Sequence, residues 1–299
     1  MSALEVIGLE KRFGRVQALR GVSFAVAFGE VFGYLGPNGA GKTTTLRVIL
    51  GLMRASSGEV RLLGGRPGRA AGRAAVGFLP GELNLYGRMT GEAVLEYFAG
   101  FRPKRPAVLR ERLLDALSLS GETLRRRVKH LSHGTRQKLG LVIAMQHDPD
   151  LLLLDEPTIG LDPLVQKAFQ AEVAGFASRG RAVLFSSHVL SEVESVCSRV
   201  AILRQGEIVA EETIAALRGR MLRRMEVRFR GEAPPGLTAV PGVARLERSG
   251  QEVILWIRGD VNPILRRLAA CDLDRFVFPE PQLEDIFYAY YQEGGHAGT

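Results

Sequence analysis

Cysteine is scarce in this chain: Cys197 and Cys271 are the two thiols in 299 residues. Two cysteines cannot build the disulfide framework of a secreted scaffold. They fit a reducing compartment and packing roles. Long apolar runs are missing too. Stretches such as 139–145 and 151–154 fall well short of the ~20 residues a membrane-spanning helix needs, so no span is expected. The first residues include Glu5, Glu10 and Lys11 where a secretory signal requires an unbroken apolar core, so no signal peptide is expected. Internal repeats are absent.

What is present is globular in character. A hydrophobic fraction of 46% beside 24% charged residues is ordinary for a packed protein, and the length suits about two domains. The net charge of +8 is unevenly placed. Residues 221–299 hold ten arginines against eleven acids, so the excess lies before them. Much of it is in residues 102–129, which carry nine Lys/Arg against Glu111, Asp115 and Glu122. Such a block can bind nucleic acid, sit near anionic lipid, or form a solvated face.

Residues 36–43 read Gly-Pro-Asn-Gly-Ala-Gly-Lys-Thr, matching the phosphate-loop pattern G-x-x-x-x-G-K-[ST]. The glycines Gly36, Gly39 and Gly41 let backbone N–H groups converge on one anion. Lys42 reaches the β- and γ-phosphates, and the Thr43 hydroxyl can ligate Mg²⁺. The flanks predict a buried strand over 31–35 and a helix over 43–52, its N-terminus facing the phosphates. Further strands are predicted at 4–9, 22–28, 58–63, 75–79, 151–155, 182–186 and 200–203. A helical block spans 90–146, and 64–75 reads as a surface hairpin or loop. After about residue 220 the pattern changes to short strands at 223–230, 244–248, 252–257 and 275–278, with helices at 261–270 and 281–291. The expectation is an α/β fold of two domains, 1–220 and 221–299, the second a small accessory unit.

Other motifs narrow the chemistry. Leu151-Leu152-Leu153-Leu154-Asp155-Glu156 is an apolar strand ending in two acids. Asp155 at the strand's carboxyl end could hold Mg²⁺ through water, and Glu156 could orient or deprotonate an attacking water. His188 ends another apolar strand and is placed for a γ-phosphate contact. Leu131-Ser132-His133-Gly134-Thr135 opens a helix and forms a second anion-directed N-terminus. Two such termini in one chain make sense if two copies pair head-to-tail, each covering the other's nucleotide.

On these motifs the chain resembles the ATP-binding subunits of ABC transporters. Phe13 matches the aromatic position that stacks on adenine. Gly36, Pro37, Asn38, Gly39, Ala40, Gly41, Lys42, Thr43 and Thr44 match the ATP-binding loop. Ser132 and Gly134 match the LSGGQ signature, Asp155 and Glu156 the Walker B pair, Leu161-Asp162 the D-loop, and His188 the switch histidine. The resemblance implies a P-loop NTPase core of mainly parallel sheet with an antiparallel β subdomain and a helical insertion (about 84–146). It also implies ATP and Mg²⁺ as cofactors, Thr43 and Asp155 toward the metal, Glu156 and His188 as catalytic groups, and Ser132, Gly134 and Asp162 as contacts to the partner's ATP. Its partners would be a separate integral-membrane permease and a second copy or paralogue. The protein would then lie at the cytoplasmic face of the membrane, with an anionic lipid surface within reach of the basic block.

Residues 77–86, residues 186–194 and the C-terminal extension resemble the ATPases of ABC-2-type drug and polymer exporters. Two positions depart from the family. Gly81 stands at the Q-loop glutamine, with Glu82 and Asn84 nearby, and His133 and Thr135 replace signature residues. Two rival readings remain: a soluble ABC-type ATPase acting on nucleic acid or the ribosome, and an ATP-binding regulatory module with little turnover. The short spacing between loop and signature, without coiled-coil insertion or second ATPase unit, counts against the first. Gly81 keeps the second open.

Overall fold

Leu151, Leu152, Leu153 and Leu154 are fully buried, and they form a strand covered on both faces. That strand lies within a sheet described by a computed structural model, which covers residues 1–66, 74–102, 104–220 and 223–279, without the side chains of 218–220. The chain divides into two units, Met1–Glu212 and a second beginning at Thr213.

The first unit opens with a hairpin of β1 (Ser2–Phe13) and β2 (Val16–Ala27), then β3 (Val31–Leu35), α1 (Lys42–Ile49), β4 (Ser57–Leu62) and β5 (Val76–Leu79). The helical segment follows as α2 (Gly91–Gly100), α3 (Arg110–Ala116), α4 (Gly121–Arg125), a 3₁₀ turn (Val128–His130) and α5 (His133–Met145). The unit closes with β6 (Leu151–Asp155), α6 (Pro163–Ser178), β7 (Ala182–Ser187), α7 (Leu190–Val196), β8 (Arg199–Arg204) and β9 (Glu207–Thr213).

Two sheets result. β2-β1-β4 is antiparallel, and a six-stranded sheet runs β5-β6-β7-β3-β8-β9. The neighbours from β5 to β8 are parallel. Consequently β6, β7 and β3 lie side by side with their carboxyl ends on one edge, where open α/β sheets place ligands. The two sheets share a core that includes Leu4, Val6, Phe24, Phe32, Tyr34, Leu151 and Leu184.

β9 was not expected from the sequence. Its residues alternate between exposed and half-buried at the sheet's edge, and the tight turn at Gln205 and Gly206 (φ 48° and 83°) returns the chain into it. The predicted loop over 64–75 contributes a short bridge between Leu62 and Gly65, and residues 67–73 lie outside the described residues.

The second unit contains α8 (Ile214–Arg220), β10 (Arg223–Phe229), β11 (Val243–Ser249), β12 (Glu252–Ile257), α9 (Asn262–Leu268) and β13 (Leu273–Val277). Its antiparallel sheet has the order β11-β12-β10-β13. Alternation sends Met225, Val227, Phe229, Val253, Leu255 and Ile257 into one core with Ile264 and Leu268 of α9. The predicted helix at 281–291 falls outside the described residues.

The amino end of β6, opposite the ligand edge, is held by charge. Arg105 pairs with Asp150 at 2.5 Å, and Arg181 bridges Asp150 and Asp148, the latter at 2.6 Å. His147 lies buried beside this cluster, 4% exposed. Burial, together with the positive charges of Arg102 and Arg105, lowers its pKa from 6.5 to about 4. The unfolded chain therefore takes up a proton below pH 6.5 that the folded chain refuses. Stability is full above that pH and falls as pH drops toward 4, by about 3 kcal/mol in all. Unfolding free energies from urea titrations at pH 7 and pH 5.5 should differ by about 1 kcal/mol more in the wild type than in His147→Leu.

Candidate nucleotide site

The phosphate loop leaves the carboxyl end of β3 and enters α1 at Gly41. Gly41 is the N-cap, with φ 113° and no side-chain cap, so the first N–H groups of α1 are free for an anion. A side chain at this position would meet the Ala18 carbonyl at 2.9 Å as well as strain the backbone. The loop lines a cavity of about 180 Å³ with Ala18, Pro37, Asn38, Gly39, Gly41, Lys42, Thr43, Thr44 and Glu156. A bed of backbone donors with one lysine is the donor set a triphosphate requires.

Lys42 is 6% exposed. Its ammonium donates to the carbonyls of Gly36 (2.5 Å) and Pro37 (3.2 Å) and stands 3.2 Å from Glu156 Oε1. The other oxygen, Oε2, is 2.8 Å from His188 Nδ1. Lysine from α1, acid from the end of β6 and histidine from the end of β7 thus meet on one carboxylate. Glu156 adopts φ 52°, a left-handed conformation that costs a non-glycine residue on the order of 1–3 kcal/mol and concentrates at functional sites.

Asp155 is 1% exposed, and each carboxylate oxygen has its own hydroxyl. Thr43 Oγ1 donates to Oδ2 at 2.8 Å and Ser186 Oγ to Oδ1 at 2.6 Å. A hydroxyl and a carboxylate beside a phosphate bed fit Mg²⁺, a hard cation that keeps several waters and takes one or two carboxylates. Ser186 was not singled out by the sequence except as a neighbour of His188.

A second cavity, of about 410 Å³, adjoins this cluster. Thr43, Arg47, Gly81, Glu82, Asn84, Asp155, Glu156 and Ile159 are among its lining residues. A Cβ on Gly81 would lie 3.3 Å from Asp155 Oδ2. The backbone here closes on the acid itself, so a side chain at 81 would crowd the carboxylate.

Phe13 is not among the residues that line the loop cavity. Its ring is 46% exposed, with the Lys11 ammonium 5.0 Å above it. The signature residues form a separate cluster. Ser132 caps α5 by accepting from the Thr135 N–H at 3.2 Å. Gly134 packs so closely that a Cβ there would be 2.3 Å from the Gly160 carbonyl. Asp162 caps α6 by accepting from Val165 N–H and faces Lys138 at 3.6 Å, and both hold its carboxyl below the usual range. Buried Gln137, which no sequence signal marked, donates to the carbonyl of Glu156 (3.4 Å) and to that of Pro157 (3.1 Å). It fixes the signature helix to the strand end that carries the acids.

The basic block divides in two. Arg105, Arg110 and Arg112 are engaged with Asp150, Glu96 and Glu172. Arg125, Arg126, Arg127 and Lys129 are exposed. No helix among the described residues is long and apolar enough to cross a membrane.

A parallel sheet, a phosphate loop, paired acids and a histidine on the second acid define an ATP-binding cassette. Residues 19–159 match the family model described as ABC transporter. The chain is 37% identical to the ABC transporter ATP-binding protein YdbJ of Bacillus subtilis (strain 168), covering 97% of each chain. It is 34% identical to Nod factor export ATP-binding protein I of Paraburkholderia xenovorans (strain LB400), covering 96% of each. A solved structure of the ATP binding subunit of an ABC transporter superposes with a TM-score of 0.67 and 32% identity, over 73% of this chain and 92% of that one. The chain belongs to the ABC transporter ATP-binding protein family.

Proposed function

We propose that this protein powers a separate membrane permease of the ABC-2 exporter type, and that two copies, or a copy and a paralogue, close head-to-tail over two ATP molecules. The observation that carries the reading is the convergence of Lys42 and His188 on Glu156, beside the Thr43–Asp155 pair. Lys42, Thr44 and the amides of the loop from Gly36 to Gly41 hold the phosphates, and Phe13 stacks on adenine. Thr43, and Asp155 through water, would hold Mg²⁺, which would offset phosphate charge. Glu156 accepts the proton of a water attacking the γ-phosphorus in line, the bond to the β-bridging oxygen breaks, and His188 stabilises the γ-phosphoryl oxygens. Ser132, Gly134 and Asp162 complete the partner's site, which accounts for their not being among the residues that line the loop cavity of their own chain.

Two surface features support a permease partner. Tyr86, Tyr97 and Phe101 are exposed, with ring centroids 5.3 Å and 5.0 Å apart along the row. The basic stretch runs alongside, since Lys129 N–H donates to the Gly87 carbonyl at 3.1 Å and Val128 N–H to that of Met89 at 2.9 Å. An exposed aromatic row is an interaction surface. Basic groups beside it suit the cytoplasmic leaflet, at about 1 kcal/mol each near anionic lipid.

Purification of the tagged full chain from membranes tests the reading. It should bring down a polytopic membrane protein and release phosphate from ATP. Recovery of nucleic acid or ribosomes in its place would support the soluble-machine reading. ATP binding without phosphate release would support a regulatory module.

A further inference from the structure

The turn from Glu156 to Asp162 is held from several sides. Gln137 of α5 binds its first carbonyls. Gln166 of α6 donates to the Thr158 carbonyl at 3.5 Å and the Leu161 carbonyl at 3.2 Å. A third support comes from α7. Glu192 Oε1 accepts from Thr158 Oγ1 at 2.5 Å, and its Oε2 accepts from Ser187 Oγ at 2.7 Å. Thr158 and Ser187 are 2% and 0% exposed, so neither hydroxyl has water as an alternative. Ser187 Oγ also accepts from the Val189 N–H at 2.9 Å, which fixes the residues on both sides of His188.

We infer that Glu192 is a positioning residue that locks the turn leading to Asp162 to the strand end carrying His188. This rests on the head-to-tail reading above. Asp162 is where a partner would press, and His188 touches the catalytic carboxylate. One carboxylate, spending one oxygen on each segment, makes the two move together. Approach of the partner is then felt at His188, and the two ATP sites act cooperatively. Neither Gln137 nor Gln166 can do this, because each binds the turn alone.

The test is steady-state ATP hydrolysis by the full chain over a range of ATP concentrations, with nucleotide affinity and melting temperature measured on the same samples. Glu192→Ala should lower kcat about 10-fold, as expected when reacting groups lose alignment. KM should change less than about 2-fold, and the Hill coefficient for ATP should fall toward 1. Glu192→Gln should restore most of kcat. Its carbonyl can accept from Ser187, and its amide can donate to the Thr158 hydroxyl, which accepts as readily as it donates. Thr158→Val, which removes one hydroxyl at nearly constant volume, should reproduce the Glu192→Ala loss even if that variant folds poorly. Combined with Glu192→Ala it should add little.

Wild-type kcat and cooperativity in Glu192→Ala or Thr158→Val would overturn the inference. So would a parallel loss of affinity and melting temperature that Gln does not rescue. A wild type without turnover would overturn the functional reading and this inference with it. A turning-over wild type beside unaltered variants would overturn the inference alone.

Discussion

Glu156→Gln is expected to lower ATP turnover by at least about 100-fold while leaving ATP binding intact. The geometry makes the substitution clean. Glu156 Oε1 faces the Lys42 ammonium and Oε2 faces His188 Nδ1. A glutamine can set its carbonyl toward the lysine and its amide toward the imidazole, so shape and contacts persist while charge and basicity are lost. The backbone at φ 52° is unaffected, because that conformation is held by the Glu156 N–H donating to the Ser186 carbonyl at 3.0 Å and by Gln137 on the Glu156 carbonyl. Loss of rate therefore reports proton acceptance and not misfolding. Phosphate release, fluorescent-nucleotide affinity and size-exclusion mass should be measured together. The expected set is a fall in the first, no change in the second, and accumulation of an ATP-bound dimer in the third. Wild-type turnover in the variant would remove Glu156 from the chemistry.

The parts of this site that were legible in the sequence are those with a local signature. The loop glycines announce themselves because their backbone cannot take other residues. The leucine run before Asp155 is readable because a strand covered on both faces must be apolar throughout. Ser186, Gln137 and Glu192 carry no such mark. Each acts on a residue 19 to 34 positions away, through a contact that exists only once β6, β7, α5 and α7 are packed. A polar residue on a helix looks the same in sequence whether it faces water or a buried carbonyl. β9 escaped for a related reason: at the sheet's edge, Glu207, Glu211 and Glu212 flank only three apolar residues, so it lacks the longer apolar run that identified its neighbours. The Q-loop departure is legible as a residue change, but its physical setting is not. Only the fold brings the backbone of Gly81 against Asp155.

Lys42→Ala should act on binding first. The ammonium is 6% exposed and its contacts are two loop carbonyls and Glu156. Phosphate oxygens compete for the same three donors, so removing them forfeits a charge-assisted contact of about 1.5–3 kcal/mol, or about 10- to 150-fold in ATP affinity. The truncation also leaves the carbonyls of Gly36 and Pro37 without this donor, and Glu156, at 12% side-chain exposure, without its cation. Lys42→Met separates these effects. It keeps the stem that fills the space beside Gly36 and removes the charge, so a loss of affinity shared by Ala and Met belongs to the ammonium, and a drop in melting temperature confined to Ala belongs to packing. Lys42→Arg should not rescue binding, because a planar fork cannot reproduce a compact ammonium that sits 2.5 Å from one carbonyl and 3.2 Å from both another carbonyl and a carboxylate. Nucleotide affinity measured in the Glu156→Gln background, where hydrolysis does not deplete ATP, isolates this step. Unchanged affinity in Lys42→Ala would mean that the loop amides alone hold the triphosphate and that the lysine serves only to place Glu156.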